Sequence, residues 1–168
     1  METEEQPRGD LTVRLVAMPG DTNANGDIFG GWVLSQMDQA GGIAAVERAF
    51  GRVVTVAVEA MTFIRPVKVG DVLCVYTSVD SVGRTSMKIR IEAWARRFRS
   101  HLREKVTDAT FTFVAIDETG RPRPAPFTPA RRAAYNSGAS GCSSMIEQQP
   151  SKLNTRVRFP SPAPTLSI

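Results

Sequence analysis

One long helical pattern, at residues 31–50, constrains the fold of this chain most strongly, because the other regular patterns are all strand-like. Two stripes of mainly apolar residues run along it at a period near 3.6 residues. The first stripe consists of Val33, Met37, Ala40 and Ala44, and the second of Leu34, Asp38, Gly41 and Ala45. A helix of about 20 residues is roughly 30 Å long, so this element predicts a helix that spans a whole sheet.

Five segments are predicted as strands because they alternate apolar and polar residues or are rich in Val and Thr. They are residues 11–18, 53–64, 72–81, 86–98 and 106–116. Gly51 is expected to end the helix before the second strand. The separators 66–71, 83–84 and 100–104 are short enough for antiparallel connections. The sequence therefore predicts an α+β fold in which a long central helix is wrapped by one antiparallel sheet.

Asp38 is the helix residue with the strongest reason to have a function. It shares its stripe with Leu34, Gly41 and Ala45, and no Lys or Arg stands between residues 23 and 47 to pair with it. A carboxylate among apolar groups is costly unless hydrogen bonds or a function compensate. The alternative is that Asp38 points down a groove and stays hydrated, or caps a neighbouring turn.

Two glycine pairs lie on either side of Asp38. Gly30 and Gly31 precede the helix, where the first N–H groups have no partner within the helix and can bind a developing oxyanion. Gly41 and Gly42 each lower helix propensity by about 1 kcal/mol relative to Ala. We therefore expect close packing at the second pair, against a partner helix or a curved sheet, ahead of ligand contact.

Length and charge limit the class of protein. A chain of 168 residues with a net charge of +4 suits one folded domain. We place this domain at residues 11–127, between a flexible N-terminus (1–10) and a Pro/Ser-rich tail (128–168) that is expected to be disordered and without function. Residues 118–168 hold seven basic and two acidic residues. The basicity thus belongs mainly to the tail, which argues against nucleic-acid binding.

The sequence favours a cytoplasmic protein. No run reaches the ~18 apolar residues of a membrane span, and the acidic N-terminus lacks the apolar segment of a signal peptide. Cys74 lies in an apolar strand pattern and Cys142 in the polar tail, which argues against a disulfide framework and fits a reducing compartment.

The motifs of several catalytic classes are missing. The sequence has no CxxC pair, no HExxH and no P-loop, and its single histidine, His101, lies in a predicted polar turn. A histidine base or histidine-ligated metal at the core is therefore excluded, and no metal site is expected. Glu59 lies inside a strand pattern, and three interpretations of it stay open: it faces a cleft, forms an interface ion pair or points outward. We leave it outside the catalytic set. Arg96, Arg97 and Arg99 are interpreted as a solvated surface.

Four separate segments of the sequence resemble one enzyme family. They are DTNANGDIFGGWVLSQMD, GRVVTVAVEAMTFIRPVKVGD, VGRTSMKIRIEAW and VTDATFTFVAID, and they resemble the bacterial acyl-CoA thioesterases of the YciA type, which have the hot-dog fold. The resemblance covers residues 11–127. It implies hydrolysis of acyl-CoA to a free acid and CoA, with no cofactor beyond the CoA of the substrate. It also implies a homodimer, usually assembled into a hexamer as a trimer of dimers.

The resemblance assigns the catalytic carboxylate to Asp38 and its helper to Asn23, in a site that two subunits share. The residue pattern alone does not decide whether Asn23 or Asn25 is the helper, since either can stabilise the turn. Asp38 would act as general base or as nucleophile, and the backbone N–H of Gly30 or Gly31 would stabilise the oxyanion.

The resemblance places the CoA nucleotide and pantetheine near the strand turn that follows Val82. The expected CoA-binding residues are Gly83, Arg84, Thr85 and Ser86, with basic support from Arg65 and Lys68. A hot-dog dehydratase is a rival, but such enzymes use a histidine in the site. The alternative function is a non-catalytic acyl-CoA-binding hot-dog protein.

Overall fold

The regular structure of the protein is a strand, one long helix and four further strands. The computed structural model describes residues 5–125. The elements are β1 (Asp10–Val16), α1 (Gly30–Ala49), β2 (Val53–Val58), β3 (Val72–Val82), β4 (Ser86–Arg96) and β5 (Arg103–Ala115). A single turn of 3-10 helix, Pro19–Asp21, follows β1. The predicted order of elements is confirmed.

Residues 1–4 and 126–168 lie outside the described part of the chain. The interpretation of residues 128–168 as a tail, the last two residues of the predicted domain and the reading of Cys142 all fall there. They remain predictions.

The five strands form one antiparallel sheet in the order β1-β3-β4-β5-β2. With α1 packed on one face, this is the predicted α+β hot-dog arrangement of a helix wrapped by a curved sheet. The predicted hairpins between β3 and β4 and between β4 and β5 are confirmed. The short antiparallel connection predicted at residues 66–71 is wrong, because β2 pairs with β5 whereas β3 pairs with β1 and β4. Residues 59–71 cross from one side of the sheet to the other.

The second strand is shorter than predicted, since it ends at Val58 instead of continuing to residue 64. Beyond that point the backbone makes isolated hydrogen bonds to β5, from the N–H groups of Glu59 (2.9 Å) and Ile64 (2.8 Å). Pro66 then interrupts the chain, because it has no N–H to donate to a ladder. In this stretch Phe63 and Ile64 line a cavity, and Met61 packs against the core.

The helix ends one residue earlier than predicted. Phe50, with φ of 50°, occupies the left-handed cap position after Ala49. Gly51 therefore follows the cap and does not provide it. The other element boundaries differ from the prediction by up to three residues, which is within the usual uncertainty of element ends.

α1 packs one side on the sheet. Its buried residues are Val33, Met37, Ala40, Gly41, Ala45 and Ala49. A Cβ atom at Gly41 would lie 2.6 Å from the Ile91 side chain and 2.7 Å from that of Phe113. Helix and sheet thus approach so closely that glycine is needed, and the predicted close packing is confirmed at Gly41. At Gly42, a Cβ would meet nothing within 4 Å in the described chain.

Gly41→Ala is expected to destabilise the fold by about 1–3 kcal/mol, the usual cost of overfilling a packed core. The clash outweighs the helix propensity gained, which is about 1 kcal/mol. Gly42→Ala is the matched control, because it gains the same propensity without a clash and should melt at the wild-type temperature or slightly above. Thermal denaturation measures all three proteins. An unchanged melting temperature for Gly41→Ala would show that the helix moves off the sheet freely.

Arg97 does not belong to a solvated surface, as had been expected from the sequence. Its guanidinium contacts Asp71 at 2.6 Å and Glu104 at 2.5 Å. Burial lowers the pKa of Arg97, but the hydrogen bonds to these two carboxylates outweigh burial, and the pKa is raised. Arg97 thus ties the β4–β5 hairpin to the start of β3, while Arg96 and Arg99 are exposed as predicted.

Candidate active site

Asp38 lies near the middle of α1 and contacts the edge strand β2. Its Oδ1 accepts a hydrogen bond of 2.7 Å from Thr55 Oγ1, whereas its Oδ2 accepts none from any described residue. The side chain is exposed in this chain, so the expectation of an apolar burial is wrong and the alternative of a carboxylate in an open groove holds. The reason is that β2 is the last strand of the sheet, and nothing among residues 5–125 covers this side of the helix beyond it.

Asn23 shapes the loop that leads into α1. Its Oδ1 accepts hydrogen bonds from the backbone N–H groups of Asn25 (2.9 Å) and Asp27 (3.1 Å), and a bridge between Thr22 and Ile28 closes the loop. The side-chain oxygen of Asn23 is therefore occupied, while its amide NH₂ donates to no described residue. Asn23 is thus the asparagine whose side chain holds the loop, whereas Asn25 contributes its backbone N–H, and the assignment of Asn23 as the catalytic helper stays a prediction.

The start of α1 presents free backbone donors. The cap residue Phe29 makes no side-chain hydrogen bond to the helix, and the N–H groups of Gly30 and Gly31 have no partner among residues 5–125. The ring of Phe63 lies 2.9 Å from where a Cβ of Gly30 would be. A side chain at this position would collide with Phe63, so glycine keeps the helix start accessible.

A cavity of about 260 Å³ opens beside these donors. Gly30 and Val33 of α1 form one wall, and Phe63 and Arg65 of the segment after β2 form another. Val106 of β5 also lines it. A mostly apolar pocket with a few polar groups at its rim is the usual form of a small-molecule site.

The candidate catalytic residues form two separate groups in one chain. Gly30 and Gly31 form the start of α1, and Asn23 lies in the loop that precedes it. Asp38 is eight residues further along the same helix, a distance of about 12 Å at 1.5 Å per residue. A reacting carbonyl group cannot contact both groups of one chain.

The expected CoA-binding residues also lie apart. Arg84 is exposed at the turn between β3 and β4, but the Gly83 N–H donates to Ser86 O at 2.8 Å and is not available to a phosphate. Lys68 lies just before β3, at the opposite end of that strand. Eleven extended residues separate the two ends by about 33 Å, so these cations of one chain do not converge.

Glu59 points outward and pairs with Lys88 at 2.9 Å. The hydrogen bond and the charge of Glu59 raise the pKa of Lys88. Both side chains are about half exposed, which agrees with leaving Glu59 outside the catalytic set.

Sequence reasoning missed Thr55, which makes the contact with Asp38 described above. Threonine is common in strands for its propensity alone, so the sequence carried no signal that its hydroxyl had a partner on the helix. Among residues 5–125, no group of three or more His, Cys, Asp or Glu side chains is arranged to hold a metal ion. No helix of the described chain is long and apolar enough to cross a membrane.

Comparison with known proteins shows clear similarity to thioesterases. Residues 25–97 match the family model of the thioesterase superfamily. The acyl-CoA thioester hydrolase YciA of Escherichia coli is 55% identical over 127 residues, which cover 74% of this chain and 96% of that protein. An uncharacterised acyl-CoA thioester hydrolase of Haemophilus influenzae is 57% identical over 124 residues, covering 72% of this chain and 80% of that protein.

Solved structures share the fold. A hexameric broad specificity acyl-coenzyme A thioesterase superimposes with a TM-score of 0.70 at 57% identity, covering 73% of this chain and 84% of that one. A hexameric thioesterase from Yersinia pestis gives a TM-score of 0.71 at 53% identity, covering 73% and 100%. An acyl-CoA hydrolase from Staphylococcus aureus, 27% identical, has been solved with an asparagine and, separately, an aspartate changed to alanine. Those two positions are 15 residues apart, as Asn23 and Asp38 are here.

Proposed function

The chain belongs to the YciA-type acyl-CoA thioester hydrolases of the thioesterase superfamily, and from this we propose that it hydrolyses acyl-CoA to a free carboxylic acid and CoA. The observation that carries the proposal is the carboxylate of Asp38, held through one oxygen by Thr55 while the other oxygen is open. Thioester hydrolysis needs an activated nucleophile and donors for the carbonyl oxygen as it gains negative charge.

Asp38 supplies the first requirement and the start of α1 supplies the second. The open Oδ2 either removes a proton from the attacking water or attacks the thioester carbon itself to give a mixed anhydride that water then cleaves. The N–H of Gly30 or Gly31 donates to the carbonyl oxygen as the C–S bond breaks. The CoA thiolate is a good leaving group, so the site works without a histidine to protonate it.

We place the two halves of the site on two subunits, because about 12 Å of helix separates them within one. β2 is an edge strand whose Val54, Val56 and Val58 are 43%, 55% and 44% exposed. An exposed apolar edge favours pairing with another strand. We propose that antiparallel pairing of two β2 strands places Asp38 of one subunit beside the Asn23 loop of the other. The hexameric assemblies of the related structures support the further association of three such dimers.

The CoA site is proposed to be shared in the same way. Arg84 from one subunit would bind the phosphates, with Arg65 or Lys68 supplied by another. Thr85 and Ser86 would line the same turn. No cofactor takes part beyond the CoA of the substrate, and the cytoplasm, where acyl-CoA is present, is the proposed location.

Arg84→Ala is expected to raise KM for acyl-CoA about two- to five-fold and to leave kcat unchanged, because an exposed charge pair contributes up to about 1 kcal/mol to binding. The acyl-pantetheine thioester, which lacks the nucleotide, should show no difference in KM. Arg96→Ala is the control, since Arg96 is also exposed but lies at the other end of the sheet. An equal KM effect with acyl-pantetheine would remove Arg84 from phosphate binding.

The decisive test of the function is release of free thiol from a panel of short, medium and aromatic acyl-CoAs, followed with a colour reagent. We expect turnover of at least one class with first-order dependence on enzyme. Tight binding of acyl-CoA without thiol release would instead identify a non-catalytic acyl-CoA-binding protein.

A further inference from the structure

We infer that Arg123 is a positioning residue for CoA, because its guanidinium fixes the backbone segment that holds the β3–β4 turn carrying Arg84. The role rests on the proposed function, since it gives Arg123 a part in the phosphate contact proposed for Arg84. Neither the resemblance nor the comparisons assign a role to Arg123.

The guanidinium of Arg123 binds backbone carbonyl groups from three parts of the chain. Its Nη2 donates to Ala49 O (3.0 Å) at the end of α1, its Nε to Ile116 O (3.1 Å) after β5, and its Nη1 to Pro124 O (3.3 Å). A cation beside the last carbonyl groups of a helix is also favoured by the helix dipole. Gly51 leaves room for the guanidinium, because a Cβ there would lie 2.6 Å from Nη2. The side chain thus ties the segment after β5 to the helix.

The segment that this guanidinium fixes, residues 121–125, contacts the proposed CoA turn. The Ala125 N–H donates to Arg84 O at 2.8 Å, and the Ala115 N–H of β5 donates to Thr85 O at 2.8 Å. Ala125 is 8% exposed, so water does not readily replace its hydrogen bond to the turn. Two neighbouring carbonyl groups of the turn are therefore held by donors from outside the β3–β4 hairpin.

The Arg84 side chain depends on this backbone for its position. It is exposed, and its guanidinium donates to no residue among 5–125. Recognition of a phosphate by arginine needs the planar guanidinium in a defined place. A turn released from Ala125 must be ordered when CoA binds, and that ordering weakens binding. Loss of the Arg123 contacts is therefore expected to weaken the contact between Arg84 and phosphate.

Arg123 itself is engaged elsewhere, because Nε, Nη1 and Nη2 each donate to a carbonyl oxygen. It also lies far from the chemical step within the chain. Ala49, which it contacts, is 11 residues beyond Asp38 on α1, a distance of about 16 Å. Removing Arg123 should therefore change the binding of CoA and leave kcat unchanged.

The experiment measures the Kd of CoA by calorimetry and the KM of acyl-CoA and acyl-pantetheine for Arg123→Gln and Arg123→Lys. For Arg123→Gln we expect the Kd of CoA and the KM of acyl-CoA to rise about two- to five-fold, the range expected for Arg84→Ala. The KM of acyl-pantetheine and kcat should stay at the wild-type values. Arg123→Lys should change binding in the same direction, because it keeps the charge but loses the planar fork of donors.

Arg121→Gln is the matched control. It removes the same charge two residues earlier, from an exposed side chain that bonds to no described residue, and it should bind CoA as wild type does. The double variant Arg84→Ala/Arg123→Gln shows how Arg123 acts. If Arg123 acts through Arg84, the double variant binds CoA no more weakly than Arg84→Ala alone, whereas independent effects would multiply.

Four results would each overturn the role of Arg123. They are a wild-type Kd in Arg123→Gln or Arg123→Lys, an equal rise in the KM of acyl-pantetheine, an equal rise in Arg121→Gln, and multiplied effects in the double variant. A wild-type Kd in Arg84→Ala would remove the role as well. Melting temperature and oligomer size show that each variant is folded, and Arg123→Lys replaces Arg123→Gln in the double variant if Arg123→Gln does not fold.

The proposed function and the role of Arg123 fail in different ways. If wild type binds CoA but releases no thiol from any acyl-CoA, the proposed function fails, and the Kd values still decide the role of Arg123. If wild type turns over acyl-CoA and Arg123→Gln binds CoA equally well, the positioning role alone fails. If wild type does not bind CoA, both fail.

Discussion

Asp38→Asn should keep the fold and the oligomer but lose turnover by about 10²- to 10⁴-fold, the range for removal of a general base. The substitution is nearly isosteric, and its amide oxygen still accepts the hydrogen bond that Thr55 donates to Oδ1. What it removes is the negative charge on the open oxygen. An amide can neither take a proton from water nor form an anhydride with the acyl group.

The measurement is thiol release at saturating acyl-CoA, together with circular dichroism and size-exclusion chromatography. Glu47→Gln is the control, because it removes another exposed carboxylate from the same helix without a proposed role. It should keep wild-type kcat. A near-normal kcat in Asp38→Asn would take Asp38 out of the mechanism, whatever the fate of the other assignments.

Inactive Asn23→Ala and inactive Asp38→Asn proteins should regain activity when they are mixed after reversible dissociation. In a mixed dimer, one of the two shared sites combines an intact Asn23 from one subunit with an intact Asp38 from the other. A one-to-one mixture should then contain about a quarter of the wild-type number of sites, because half of the dimers are mixed and each has one working site.

This recovery from near zero requires only that the site be built from two chains. Asn25→Ala is the control, since the Asn25 side chain holds no part of the loop, and it should be active without mixing. Mass spectrometry confirms that mixed oligomers form. If they form and remain inactive, both residues act within one chain, and the Asn23 loop must rearrange to reach Asp38, which lies about 12 Å along the helix from its start.

The sequence by itself determined the elements and their order. A period of 3.6 residues over residues 31–50 and a period of two in the strands are local signals, because each element exposes and buries its residues in a fixed repeat. A close contact at the Gly41–Gly42 pair was also predicted, since Gly costs helix stability, but within the described residues only Gly41 makes one. The resemblance of four segments to one family then directed attention to Asn23 and Asp38.

Only the tertiary structure decided which distant residues meet. The crossing of residues 59–71 from β2 to β3 depends on which strand occupies each edge, and neighbouring residues carry no information about that choice. The same holds for Arg97, whose partners Asp71 and Glu104 come from other elements. The helical pattern of α1 also could not show that Asp38 is exposed. Its stripe is covered only as far as the sheet extends, and the edge of the sheet is not visible in the pattern. β2 is the edge that leaves Asp38 open, and its Thr55 is the residue that holds the carboxylate there.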